Sequence, residues 1–222
     1  EAAIRSELDK KKDRIVAIKC AVAYERAIRF PRADKKKVAG IFGKPAEALS
    51  EEEKQTFGNY MFHFFLDAAR ERDLPIQIHT GLAQISGSNP MLLEPVIADN
   101  PDVRFVLFHG GFPWIYEIAG LAHNYPNVYI DMNWLPLIST KAAETALHTY
   151  LEVVGHNNRI SWGGDCWTSE EAYGASMAFR HVLARVLEYK VASSMYRQID
   201  AELLIEKLLY QNAKSLYIRS KN

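Results

Sequence analysis

Only two cysteines occur in 222 residues, Cys20 and Cys166. They lie too far apart to form a zinc knuckle, and two thiols do not make the disulfide framework of a small secreted domain. Free thiols suit a reducing compartment, so a cytoplasmic location is expected. Charge of either sign is also not in excess, with 27 basic against 27 acidic residues. A polyanion or a charged membrane surface therefore has nothing to steer it, and nucleic acid is not expected as a partner. No apolar run approaches the roughly 20 residues of a membrane span, and no leading segment has the pattern of a signal peptide. There is no short-period repeat, linker or low-complexity segment, and the chain reads as one soluble domain over residues 1–222.

What is present is a core-forming composition, 48% hydrophobic, and three stretches with one grammar. Leu74–Gly81, LPIQIHTG, runs apolar into His79 and a turn. Val103–Gly111, VRFVLFHGG, runs into His109 and a glycine pair, and Arg159–Asp165, RISWGGD, runs through a glycine pair into Asp165. Each is a short apolar run ending at a side chain able to bind a metal. In a barrel of parallel strands the carboxyl ends share one face, so residues distant in sequence converge there. Such convergence is what a metal-dependent hydrolase needs.

The intervening segments alternate between strand and helix patterns. Glu1–Arg14 has the spacing of a helix, with Ile4 and Leu8 on one face. Ile15–Val22 is a strand broken by Lys19, and Pro31–Pro45, with its basic run Lys35–Lys37, reads as a long loop or lid. Ser50 followed by Glu53 is a capping box opening a helix to about Arg72. Pro90 starts a helix to about Asn100 and Pro113 starts another. Val128–Met132 is a strand presenting Asp131, Asn133 and Trp134 at its end. Lys141–Val154 and Ser169 to about Tyr189 are helices, and Met195–Tyr217 is a terminal amphipathic helix, whole or in two pieces. Strand then helix recurs about five times, which argues for a parallel sheet with helices outside.

From Ile15 to about Tyr217 the chain resembles the amidohydrolase superfamily, in the branch that includes carboxymuconate-semialdehyde decarboxylases. Within that branch it looks like the amidohydrolase domain fused to glutamine-synthetase-like domains. The runs that carry the resemblance are IKCAVAYERAI, LPIQIHTG, NPMLLEPVI, VLFHGGFPWIYEIAGLAHNYPNVYIDM and ISWGGD. The fold it implies is a TIM (β/α)8 barrel lacking its first three strand–helix units. It further implies that His79 is the fifth-strand metal ligand, His109 the sixth-strand histidine and Asp165 the eighth-strand aspartate, around a divalent metal, zinc or manganese. Neutral imidazole suits zinc, and a carboxylate can bind the ion or accept a proton from its water. His109 would ligate a second ion, or bond the substrate carbonyl and carry a proton.

The implied reaction is metal-assisted hydrolysis of a C–N bond in a small polar substrate. Alternatives are non-oxidative decarboxylation and, in a different class, an inactive scaffold or signalling domain. Tyr24 and Arg26 offer a hydroxyl and a bidentate fork for a substrate carboxylate, or form an exposed loop pair. Trp114 and Trp134 would wall a pocket or fill core. Lys19 would bridge a second metal when carboxylated, face substrate, or join a structural ion pair. The family's first strand supplies a His-x-His pair of ligands, and no such pair occurs here. The expectation is therefore a barrel completed by an upstream segment or by another copy of the chain.

Overall fold

The computed structural model describes residues 1–218. Five short strands form one parallel sheet in chain order: β1 Ile18–Cys20, β2 Ile76–Ile78, β3 Phe105–Leu107, β4 Val128–Asp131 and β5 Ile160–Ser161. Parallel pairing requires long crossovers, and helices provide them. They are α1 Ala2–Lys10, α2 Lys35–Ile41, α3 Glu51–Glu71, α4 Glu94–Ala98, α5 Ile115–Asn124, α6 Leu135–Ile138, α7 Thr140–Val153, α8 Ser169–Ala192, α9 Gln198–Glu206 and α10 Asn212–Tyr217. The result is a TIM-barrel-like arc, and among the described residues β1 and β5 are its two outer strands and do not pair with each other.

Register explains which side chains face where. Ile18, Ile76, Phe105 and Val128 align across the sheet, as do Cys20, Ile78, Leu107 and Ile130. These rows point at the helices and make up the centre of the main core. The row between them, Lys19, Gln77, Val106 and Tyr129, faces the other way, into the concave side. There Val106 and Phe108 form a second cluster with Leu216, against which Tyr129 and Tyr217 pack. The terminal helix thus reaches under the sheet, and Gln77 Nε2 donates to the Tyr217 hydroxyl at 3.0 Å.

Local chemistry sets the helix ends. The Ser50 hydroxyl accepts from Glu53 N at 3.2 Å while the Glu53 carboxylate accepts from Ser50 N at 2.9 Å, so both partners of the capping box are present. Replacing Ser50 by alanine is expected to destabilise the protein by about 1 kcal/mol, read as a lower midpoint in thermal unfolding.

The segment expected as a loop, residues 31–45, contains α2 instead. The Asp34 side chain accepts from Lys36 N, and Val38 and Ile41, three residues apart on one face, are buried. The basic run therefore opens a helix. The segment after Pro90 is a tight turn over Pro90–Leu93 followed by the short α4. The terminal stretch divides into α9 and α10, joined by a wide π-type turn at Lys207–Gln211.

Candidate active site

The turns that end β2 and β3 bring two histidines together. His79 and His109 are 2% and 0% exposed, and His79 Nδ1 lies 2.9 Å from His109 Nε2. Each ring turns its other nitrogen to a main-chain carbonyl: His79 Nε2 lies 3.2 Å from Gly81 O, and His109 Nδ1 lies 3.3 Å from Asn133 O. Carbonyl oxygens only accept, so each outer contact is a hydrogen bond when its ring nitrogen carries the hydrogen. Two neutral rings then have no proton left for the short inner contact. That contact is satisfied when His79 Nδ1 and His109 Nε2 share a proton or a cation, or when one ring carries its hydrogen on the inner nitrogen and gives up its longer outer contact.

Burial opposes the shared proton. Desolvation is the main cause lowering the pKa of each ring, helped at His79 by the positive charge of Lys19 and at His109 by its histidine neighbour, with His109 reaching about 4. Near neutral pH both rings are uncharged, and their inner nitrogens stand 2.9 Å apart. Neutral imidazole nitrogens are donors that a zinc-like ion accepts, so His79 and His109 would be the residues to hold one here. Donation from the outer N–H to a carbonyl is also how metal-binding histidines are held.

Asp165 adds an oxygen. Its Oδ2 is 3.6 Å from His109 Nε2, and the side chain is 44% exposed. Among the described residues no three His, Cys, Asp or Glu side chains form a preassembled cage. The donors fit a divalent ion as part of its coordination sphere.

The glycines make this approach possible. Gly81 has φ +71°, and a Cβ on it would lie 1.8 Å from Phe112 O. His109 itself has φ +61°, followed by Gly110 at +53° and Gly111 at +65°. The buried Tyr150 hydroxyl donates to Gly110 O at 2.6 Å and pins that turn. Thr80 Oγ1 donates to Phe108 O at 2.7 Å, joining the two histidine turns.

The other candidates are distributed unevenly. Tyr24 stacks obliquely on His79 with ring centres 4.4 Å apart and is 58% exposed, open to the site. Lys19 places its Nζ 3.2 Å from the centre of the Phe108 ring, and burial pulls its pKa down to about 8 against the opposing charges of Asp165 and Asp131. Arg26 donates to Asn59 Oδ1 at 2.8 Å and lies over Phe30, so its fork is engaged with α3. Trp114 stands at the N-cap position of α5 without a side-chain cap bond; the indole against His109 belongs to Trp134, at 5.4 Å between ring centres. Asn133, which binds His109 through both main chain and side chain, was legible in sequence only as a polar residue past a strand end.

A pH dependence follows from His109. In the unfolded chain the ring takes up its proton near pH 6.5, in the metal-free folded chain only near 4. Between those values the unfolded state binds more protons, so stability present above pH 6.5 is lost as pH falls toward 4. The loss should reach up to about 3 kcal/mol. Denaturant unfolding at stepped pH would measure it, and His109→Gln should flatten the slope.

Comparison with known proteins agrees with this fold. The chain is 35% identical over 149 residues to Protein fluG of Emericella nidulans, covering 64% of this chain and 17% of that protein. In structure it superposes, with a TM-score of 0.84 and 21% identity, on a Lactobacillus casei protein assigned to the metal-dependent hydrolases, covering 99% of this chain and 61% of that one. Uronate isomerase of Thermotoga maritima gives 0.73 and 16% identity, over 98% of this chain and 54% of that one. Dihydroorotase of Campylobacter jejuni gives 0.53 and 17%, over 98% and 63%. At these identities the structures speak for the fold alone, and the chain spans less than two thirds of each of these relatives' lengths. The sequence pattern of one family, the amidohydrolases, runs through strands, histidine turns and terminal helices alike; since it matches residues 25–219, the chain belongs to the amidohydrolase family.

Proposed function

We propose that this protein carries out metal-assisted hydrolysis of a C–N bond in a small polar substrate. The observation that supports the reading most is the histidine pair, whose outer nitrogens lie 3.2 and 3.3 Å from Gly81 O and Asn133 O while the inner ones stand 2.9 Å apart. His79 and Asp165 would hold a divalent ion, zinc or manganese, with His109 beside them. When bound, such an ion polarises a carbonyl and lowers the pKa of water.

The chain's own groups supply the rest. Asp165 reaches both solvent and His109, which suits a base that takes a proton from the attacking water and returns it to the departing amine. His109 Nδ1–H is committed to Asn133 O, so Nε2 offers a lone pair. Stabilising an oxyanion would require a second proton, which burial opposes; His109 is better suited to ligation or proton acceptance. Tyr24, exposed beside His79, would bind substrate. Lys19, with a pKa near 8, offers a cation to a substrate carboxylate at neutral pH.

Titrating the metal-free protein with zinc and with manganese, then assaying amine release from a panel of small carboxylated amides, tests the reading. One equivalent of bound ion and amine release are expected. Release of carbon dioxide without amine would replace hydrolysis by decarboxylation, and failure to bind either ion would leave the scaffold reading.

A further inference from the structure

We propose that Asp131, at the end of β4, is the positioning residue that fixes the tautomer and orientation of His109, acting through the turn at Asn133. The inference rests on the reading above, in which His109 Nε2 must face the ion.

Asp131 is 5% exposed, and both its carboxylate oxygens are engaged. Oδ1 accepts from Asn133 N at 2.9 Å and Oδ2 accepts from the Ser161 hydroxyl at 2.9 Å. Asp131 and Ser161 are register partners on adjacent strands, so the carboxylate is tied to the sheet on one side and to the turn on the other. Asn133, 4% exposed, then grips His109 at two points. Its side-chain oxygen accepts from His109 N at 3.3 Å, and its carbonyl accepts from His109 Nδ1 at 3.3 Å. The same carbonyl accepts from Leu135 N at 2.7 Å, which fixes its direction. The following residue, Trp134, is held at φ +61° and lays its ring against His109.

The chain of contacts is therefore Ser161, Asp131, Asn133, His109. Free imidazole exchanges its proton between two nitrogens; here a fixed carbonyl at Nδ1 selects one tautomer and leaves Nε2 bare. Without the Asp131 carboxylate the buried Asn133 N–H loses its acceptor, and the turn must shift to find another.

The test reads imidazole nitrogen resonances in metal-free protein labelled at histidine, near pH 7.5. In the wild type, His109 Nδ1 is expected to give a protonated signal and Nε2 an unprotonated one. Asp131→Ala should move both toward the averaged values of exchanging tautomers and weaken zinc binding about 10–100-fold. Asp131→Asn should restore the wild-type pattern, because its amide oxygen can accept from Asn133 N while its NH2 donates to Ser161 Oγ. An unchanged His109 spectrum in D131A overturns the proposal, and so does an Asn variant that behaves like the Ala one. If D131A does not fold by circular dichroism, S161A carries the test: a partial shift supports the proposal and an unaltered spectrum sinks it. If wild type bound no ion, the hydrolase reading would fail while the tautomer result stood.

Discussion

Replacing His79 by alanine is expected to remove ion binding and turnover together. His79 Nδ1 is one of two bare nitrogens 2.9 Å apart, and its partner ring is buried and uncharged near neutral pH. Loss of one donor from so small a set should weaken zinc binding by more than about 100-fold, above what loss of an outer-shell partner costs. His109→Ala separates two roles. If His109 only assisted the chemistry, turnover would fall by about 10²–10³-fold with the ion retained. With its Nε2 only 2.9 Å from His79 Nδ1, both variants should instead lose the ion. Metal analysis beside single-turnover assays measures the difference, and full metal occupancy in His109→Ala would return that residue to a purely catalytic role.

Gly81→Ala should damage stability and the site at once. A Cβ there would sit 1.8 Å from Phe112 O in a turn with φ +71°, so backbone must move, and overpacking plus the left-handed conformation cost at least about 2 kcal/mol. The same residue's carbonyl accepts from His79 Nε2 and its N–H donates to Ser88 O at 2.9 Å. Moving it turns the imidazole, so zinc affinity should fall with the unfolding midpoint. Gly40→Ala is the control. That exposed position lies in α2 with nothing within 4 Å of an added Cβ, and alanine there should stabilise by about 0.5–1 kcal/mol. Equal losses from the two substitutions would show that glycine content, rather than the close approach at Gly81, is responsible.

The sequence by itself determined the features that depend on neighbours along the chain. Apolar runs ending in His79, His109 and near Asp165, the capping box at Ser50 and Glu53, and the alternation that makes the sheet parallel are all local patterns. The α2 start at Asp34 was equally local, and the basic run after it obscured it. Tertiary structure alone decided which side chains meet. β2 and β3 are adjacent in the sheet, with Ile78 opposite Leu107, and that register, together with the left-handed turn at His109, sets the distance between the rings. Neither the engagement of Arg26 with Asn59, nor the choice of Trp134 over Trp114 as neighbour of His109, nor the grip of Asn133 could be read from spacing. Those contacts join residues 24 to 33 positions apart, and their formation depends on strand order and turn geometry, which sequence periodicity does not encode.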